Sequence, residues 1–156
     1  MHRAAVALFV LPLLATFTAC APAPPPEVIA GVIEAADGVP IVYDAKGAGE
    51  TALVFLHCWS CDREFWREQV DVFAEDYRVV AMDLPGHGAS GAGREDWSIA
   101  GLAEDVRTVV DELGLERVVL VGHSMGGPIA LLAAPLLEGR AVGVACVDTL
   151  HNAEMK

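Results

Sequence analysis

Ser124 stands in the run VVLVGHSMGG, Val118 to Gly127, with glycines on both sides of it. A serine hydroxyl attacks a carbonyl carbon when a base takes its proton and hydrogen-bond donors hold the resulting oxyanion. The order Gly122-His123-Ser124-Met125-Gly126 gives the pattern G-x-S-x-G. It follows an apolar, strand-like run and opens an apolar, helix-like one. That context predicts a sharp strand-to-helix turn. The glycines leave room where side chains would collide with backbone. The serine takes a strained conformation, and the helix N-terminus behind it aims unpaired N–H groups at the site. The competing reading is a serine N-cap at an ordinary turn.

Other reactive side chains lie outside this run. Cys58 and Cys61 form C-x-x-C, which admits free thiols, a local disulfide, a redox pair or half of a metal site. Four ligands make a structural zinc site, and the sequence holds no second pair. Neither a metal nor a cofactor is expected. Cys146 lies in an apolar run and reads as a small core residue. His151 is the only histidine after Ser124, and it follows Asp148 by three positions.

The elements that must position these residues alternate along the chain. VIAGVIEA and VPIVYDAKG read as two short strands separated by the turn residues Asp37 and Gly38. Ala52–His57 is a continuous apolar run, as in a strand buried on both faces. A helix follows, with Phe65, Trp66, Val70 and Phe73 on one stripe and Asp62 as N-cap. RVVAMD is the next strand. The stretch 98–114 predicts a helix capped by Ser98 and ended by Gly114. RVVLVG, then SMGGPIALLAAPLLEG, then AVGVACVD complete the series as strand, helix and strand. Such alternation implies an α/β class with a mostly parallel sheet and right-handed crossovers. Chemistry in such sheets sits at the carboxyl ends of the strands. Three of those ends carry HCWSC, DLPGHGAS and GHSMGG.

Taken together, these three motifs resemble the α/β-hydrolase family over residues 28–148. In that family a His-Gly pair ends the third strand, and the next residue lends its N–H to the oxyanion hole. Here the pair is His57-Cys58, so the resemblance gives that role to Trp59, with the N–H of Met125 as second donor. Asp83, Gly86, His87, Gly88 and Ser90 match a loop-shaping turn, and His57 and His123 fall where the family uses histidine for loop geometry. Serine at the nucleophile position argues against epoxide hydrolases and haloalkane dehalogenases, which use aspartate there. The resemblance therefore implies a carboxylesterase-like hydrolase acting on a small-molecule acyl substrate. The family's chain order is serine, acid, histidine. Asp148, at the end of the sixth strand, is the candidate acid. The family's seventh and eighth strands and its histidine loop find no counterpart. The expectation is an amino-terminal part of a longer hydrolase, weakly active or inactive by itself. An alternative is self-association in which two chains swap or share strands. Another is a non-catalytic envelope lipoprotein on the same scaffold.

The remaining sequence bears on location. A basic start and an apolar stretch lead to FTAC, which resembles a lipoprotein signal over residues 1–19 with Cys20 as lipid anchor. Residues 20–27 then form a Pro-rich spacer favouring extended polyproline II. The predicted domain occupies residues 28–156. This implies an exported protein of the bacterial cell envelope held at the membrane; an ordinary secretory signal is the alternative. The net charge of −12 disfavours nucleic acid as a partner. With 54% hydrophobic residues, the chain carries enough apolar surface for a folded core.

Overall fold

Apolar runs without alternation become the central strands. In a computed structural model, which describes residues 26–149, Ala52–Leu56 (β3) is buried at every position. Its neighbours are Arg78–Met82 (β4) and Val118–His123 (β5), both parallel to it. Ala141–Val147 (β6) adds a parallel strand beside β5. The two N-terminal strands, Ile29–Glu34 (β1) and Pro40–Lys46 (β2), form a hairpin whose second strand pairs antiparallel with β4. The six-stranded order is therefore β1-β2-β4-β3-β5-β6. This is the mostly parallel α/β sheet that the alternation predicts.

Helices cover both faces. Arg67–Phe73 (α1) lies on one face, where Phe55, Trp66, Val70 and Val79 pack together. Ile99–Glu112 (α2) and Gly126–Leu136 (α3) lie on the other. There Leu102, Val106, Val109, Ile129 and Ala133 close over Val54, Leu56 and Leu120. Ser98 caps α2 as expected, accepting the Gly101 N–H at 3.0 Å. Pro128 sits in the first turn of α3, where its missing N–H costs nothing.

Two sequence expectations need correction. The helix expected after Asp62 begins as a 3₁₀ turn, Arg63–Trp66, and becomes α-helical only at Arg67. Its tighter winding breaks the predicted stripe. Trp66 and Val70 point inward, whereas Phe65 and Phe73 are 48% and 40% exposed. Phe65 instead stacks on the His123 ring, with centroids 4.8 Å apart. Cys146 is exposed rather than part of the core. It sits on β6, the last strand of the sheet, which is paired only by β5 among the described residues.

Candidate active site

The turn between β5 and α3 is built by close backbone approach. A Cβ on Gly122 would collide with the Gly126 carbonyl and the Gly127 nitrogen, so only glycine lets the strand fold back on the helix. Gly126 likewise lies against the Leu56 and His57 carbonyls at the end of β3. Ser124, between them, has a φ of 49° and is exposed. Side chains other than glycine pay for this left-handed backbone. Two bonds hold it there: the Ser124 N–H donates to the Val147 carbonyl at 3.0 Å, and the Gly127 N–H donates to the Ser124 carbonyl at 3.1 Å. The N-cap position of α3 belongs to Met125, and no side chain caps the helix. The left-handed backbone at Ser124 differs from the extended backbone of an ordinary N-cap serine.

Beside the turn lies a cavity of about 590 Å³. Trp59 and Met125 both line it, together with His87, Trp97, Ile99 and Leu102. Its walls are mainly apolar, drawn from the ends of β3 and β4 and the start of α2. Ser124 borders this cavity through its neighbour Met125 and does not itself line it. Among the described residues, neither the Trp59 N–H nor the Met125 N–H donates to a protein acceptor. Trp59 is 71% exposed and lies edge-on to the His87 ring at 5.4 Å.

None of the described histidines is aimed at Ser124 Oγ by a hydrogen bond. His57 is fully buried and committed at both ring nitrogens. Nδ1 bonds the Cys58 carbonyl at 2.7 Å, so it must carry the proton. Nε2 accepts the Leu84 N–H at 3.0 Å, so it must not. Burial lowers the His57 pKa, and the adjacent His87 lowers it further, against the raising effect of the Cys58 carbonyl. His57 is thus a neutral clasp between the β3 and β4 loops. His87 Nδ1 bonds the Pro85 carbonyl at 3.2 Å. His123 lies flat against Phe65, and its buried Nδ1 has no partner among the described residues. His151 and Cys20 lie outside the described residues.

Asp148 is exposed and follows Val147, the residue whose carbonyl holds Ser124. Its own φ is 45°. The next residue, Thr149, places its hydroxyl 3.3 Å from the Ser124 carbonyl. The end of β6 therefore packs on the elbow, and the candidate acid is one residue from that contact.

Cys58 and Cys61 meet on either side of Trp59 and Ser60, and Cys61 lines the cavity. Their sulfurs are 2.6 Å apart, and both are free thiols.

A feature that sequence reasoning missed lies beneath the β4 loop. Asp83 is fully buried and accepts the Arg63 and Ala89 N–H groups, each at 2.7 Å. The Arg63 guanidinium reaches Asp83 at 2.6 Å and Asp44 at 2.7 Å. Burial works against the Arg63 charge, but the Asp44 hydrogen bond and the charges of Asp83 and Asp44 outweigh it and raise its pKa. This network fastens the 3₁₀ turn after the Trp59 loop to the loop after β4. The motif DLPGHGAS marked Asp83 as a loop residue, but nothing in the spacing pointed to Arg63 as its partner.

A profile of the alpha/beta hydrolase fold matches residues 51–155. The chain belongs to the α/β-hydrolase fold family. It is 39% identical over 112 residues to the dihydrolipoyllysine-residue acetyltransferase component of the acetoin cleaving system of Cupriavidus necator, a match covering 72% of this chain and 30% of that one. It is 37% identical over 99 residues to the bifunctional esterase/perhydrolase DCH of Acinetobacter calcoaceticus, covering 62% of this chain and 36% of that one. The solved structure of the epoxide hydrolase CorEH without ligand matches with a TM-score of 0.76 and 28% identity, covering 83% of this chain and 46% of that one. The chain spans less than half the length of each of these three proteins.

Proposed function

We propose that the chain carries the nucleophile of a serine hydrolase acting on small, largely apolar esters or related acyl compounds. Ser124 attacks the acyl carbon and forms an acyl-enzyme. The N–H groups of Trp59 and Met125 hold the oxyanion, and water releases the acid. One such donor is worth about 3–4 kcal/mol of barrier. The observation that carries this reading is the φ of 49° at Ser124 on a turn that caps nothing. Strain of this kind persists where the surroundings over-determine it, and it clusters at working sites. The esterase/perhydrolase relative supports the acyl chemistry. The epoxide hydrolase neighbour shares the fold, while a serine, not an aspartate, stands at position 124 here.

Asp148 is the acid in this reading. Among the described residues, His57 is locked neutral and His123 is stacked on Phe65, so neither serves as the base for Ser124. The same observation favours a second reading, a non-catalytic envelope protein on the hydrolase scaffold. Release of nitrophenol from p-nitrophenyl acetate separates the two. Hydrolase chemistry predicts a small rate that Ser124→Ala abolishes, with an acetylated Ser124 peptide recovered by mass spectrometry. A rate unchanged by Ser124→Ala, and no acetylation at Ser124, would favour the second reading.

Two further assignments belong to this proposal. Attachment to the membrane through a lipidated Cys20, in an exported protein of the cell envelope, is supported by the residues before that cysteine; loss of fatty-acid incorporation in Cys20→Ser tests it. Self-association is supported by the margin of β6, unpaired among the described residues, and the apolar face beside it, where Val119, Val121, Val142 and Val147 line an open groove. Sedimentation of the purified chain tests that assignment.

A further inference from the structure

Cys58 and Cys61 bracket Trp59 and Ser60 in a single turn. The Cys61 N–H donates to the Cys58 carbonyl at 3.3 Å, and Ser60 bends the chain with a φ of 58°. A turn of this kind keeps its end Cα atoms within about 7 Å. That overlaps the span a disulfide bridges. The sulfurs already face each other, and both side chains are half-buried rather than sealed in the core. Cys61 lines the cavity beside Trp59, whereas Cys58 does not. Cys146 is exposed on β6, away from this pair, and serves as an internal reference thiol.

We propose that Cys58 and Cys61 form a redox-modifiable pair that closes to a disulfide by exchange with a small-molecule disulfide. The Cys61 thiolate attacks one sulfur of the external disulfide. That S–S bond breaks, and the first external thiolate leaves and takes up a proton. Cys58 then gives its proton to solvent and attacks the Cys61 sulfur of the mixed disulfide, expelling the second external thiolate, which takes up a proton from solvent. Two protein thiols and one external disulfide become one protein disulfide and two external thiols. The pair loses two electrons, and the external disulfide gains them.

The assignment of Cys61 as first attacker follows from its place on the cavity wall. Burial, with the Cys61 thiol beside it, pushes the Cys58 thiol up to about 11, which disfavours a Cys58 thiolate as the opening nucleophile. Closure ties Trp59 and Ser60 into a small ring and stiffens the wall that carries the Trp59 N–H. That consequence for the oxyanion rests on the hydrolase reading; the thiol exchange does not.

The reduced chain is treated with oxidised glutathione, quenched, and mapped by peptide mass. The expected result is a peptide holding Cys58 and Cys61 that has lost two hydrogens and carries no glutathione, while Cys146 carries one. Cys58→Ser should trap glutathione on Cys61, and Cys61→Ser should leave Cys58 unmodified over the same period. A Cys58–Cys61 peptide that stays reduced, or holds glutathione on both sulfurs while Cys146 is modified, would overturn the proposal. Hydrogen exchange of residues 58–62 reads the stiffening, with slower exchange expected after oxidation. Unchanged exchange across a confirmed disulfide would overturn that part. Failure of the nitrophenyl assay alone would touch only the hydrolase reading.

Discussion

The Ser124 N–H and the Val147 carbonyl, 3.0 Å apart, tie the strained turn to the last residue of the edge strand β6. The bond makes the elbow depend on a strand that comes after it in the chain. Asp148 is the next residue in the chain.

The first prediction concerns the strain itself. A left-handed backbone costs a non-glycine residue about 1–2 kcal/mol, and glycine returns about 0.5–1 kcal/mol of that through the unfolded chain. Ser124→Gly is therefore expected to be more stable than Ser124→Ala by about 1 kcal/mol. Urea unfolding midpoints measure the difference. Equal midpoints would mean that position 124 is not strained.

Close packing at Gly122 gives a second prediction. A methyl group there must displace the Gly126 carbonyl and the Gly127 nitrogen. Overpacking of this kind costs about 1–3 kcal/mol. Gly122→Ala should lower the unfolding midpoint accordingly and displace Ser124 from its present backbone. Wild-type stability in this variant would contradict the packing described.

The buried Asp83–Arg63 pair should be expensive to break from one side. Breaking a buried pair from one side costs about 3–5 kcal/mol, although Asp44 still compensates Arg63 in part when Asp83 is removed. Asp83 also accepts two backbone N–H groups, so Asp83→Leu is expected at or above that range. Asp83→Asn, which keeps one acceptor oxygen, should lose less. Thermal unfolding of both variants checks the order.

His57 should make folding pH-dependent. Its folded pKa lies below the usual histidine value, so the unfolded chain binds the proton more readily. The clasp contributes its full stability above the unfolded value of about 6.5. That contribution is lost as pH falls from there through the depressed folded value. His57→Gln should flatten this part of the stability profile. It should also cost about 1–3 kcal/mol at neutral pH if the buried Leu84 N–H loses its acceptor.

Much of the fold was legible in the sequence because its signals are local. Unbroken apolar runs marked β3, β4 and β5. Ser98 and Gly114 marked the ends of α2, and the glycines around Ser124 marked the turn. The failures have physical causes. Phe65 left its stripe because the helix starts with a 3₁₀ turn, which no apolar count detects. Cys146 proved exposed because burial of an edge strand depends on neighbours that its own residues do not encode. The Arg63–Asp83 pair joins positions twenty apart in sequence, and only the parallel pairing of β3 with β4 brings them together. The motifs located Trp59, Met125 and Ser124; the shared cavity wall of the first two emerged only in three dimensions.

Nucleophilic attack requires the exposed Ser124 to react ahead of the chain's other serines. A fluorophosphonate probe tests this most directly, because its adduct on serine mimics the acyl intermediate. Incubated with the folded chain and mapped by peptide mass, the probe should modify Ser124 ahead of every other serine, and Ser124→Ala should remove the signal. Adducts spread evenly over surface serines, or a folded chain with Ser124 unmodified, would contradict it.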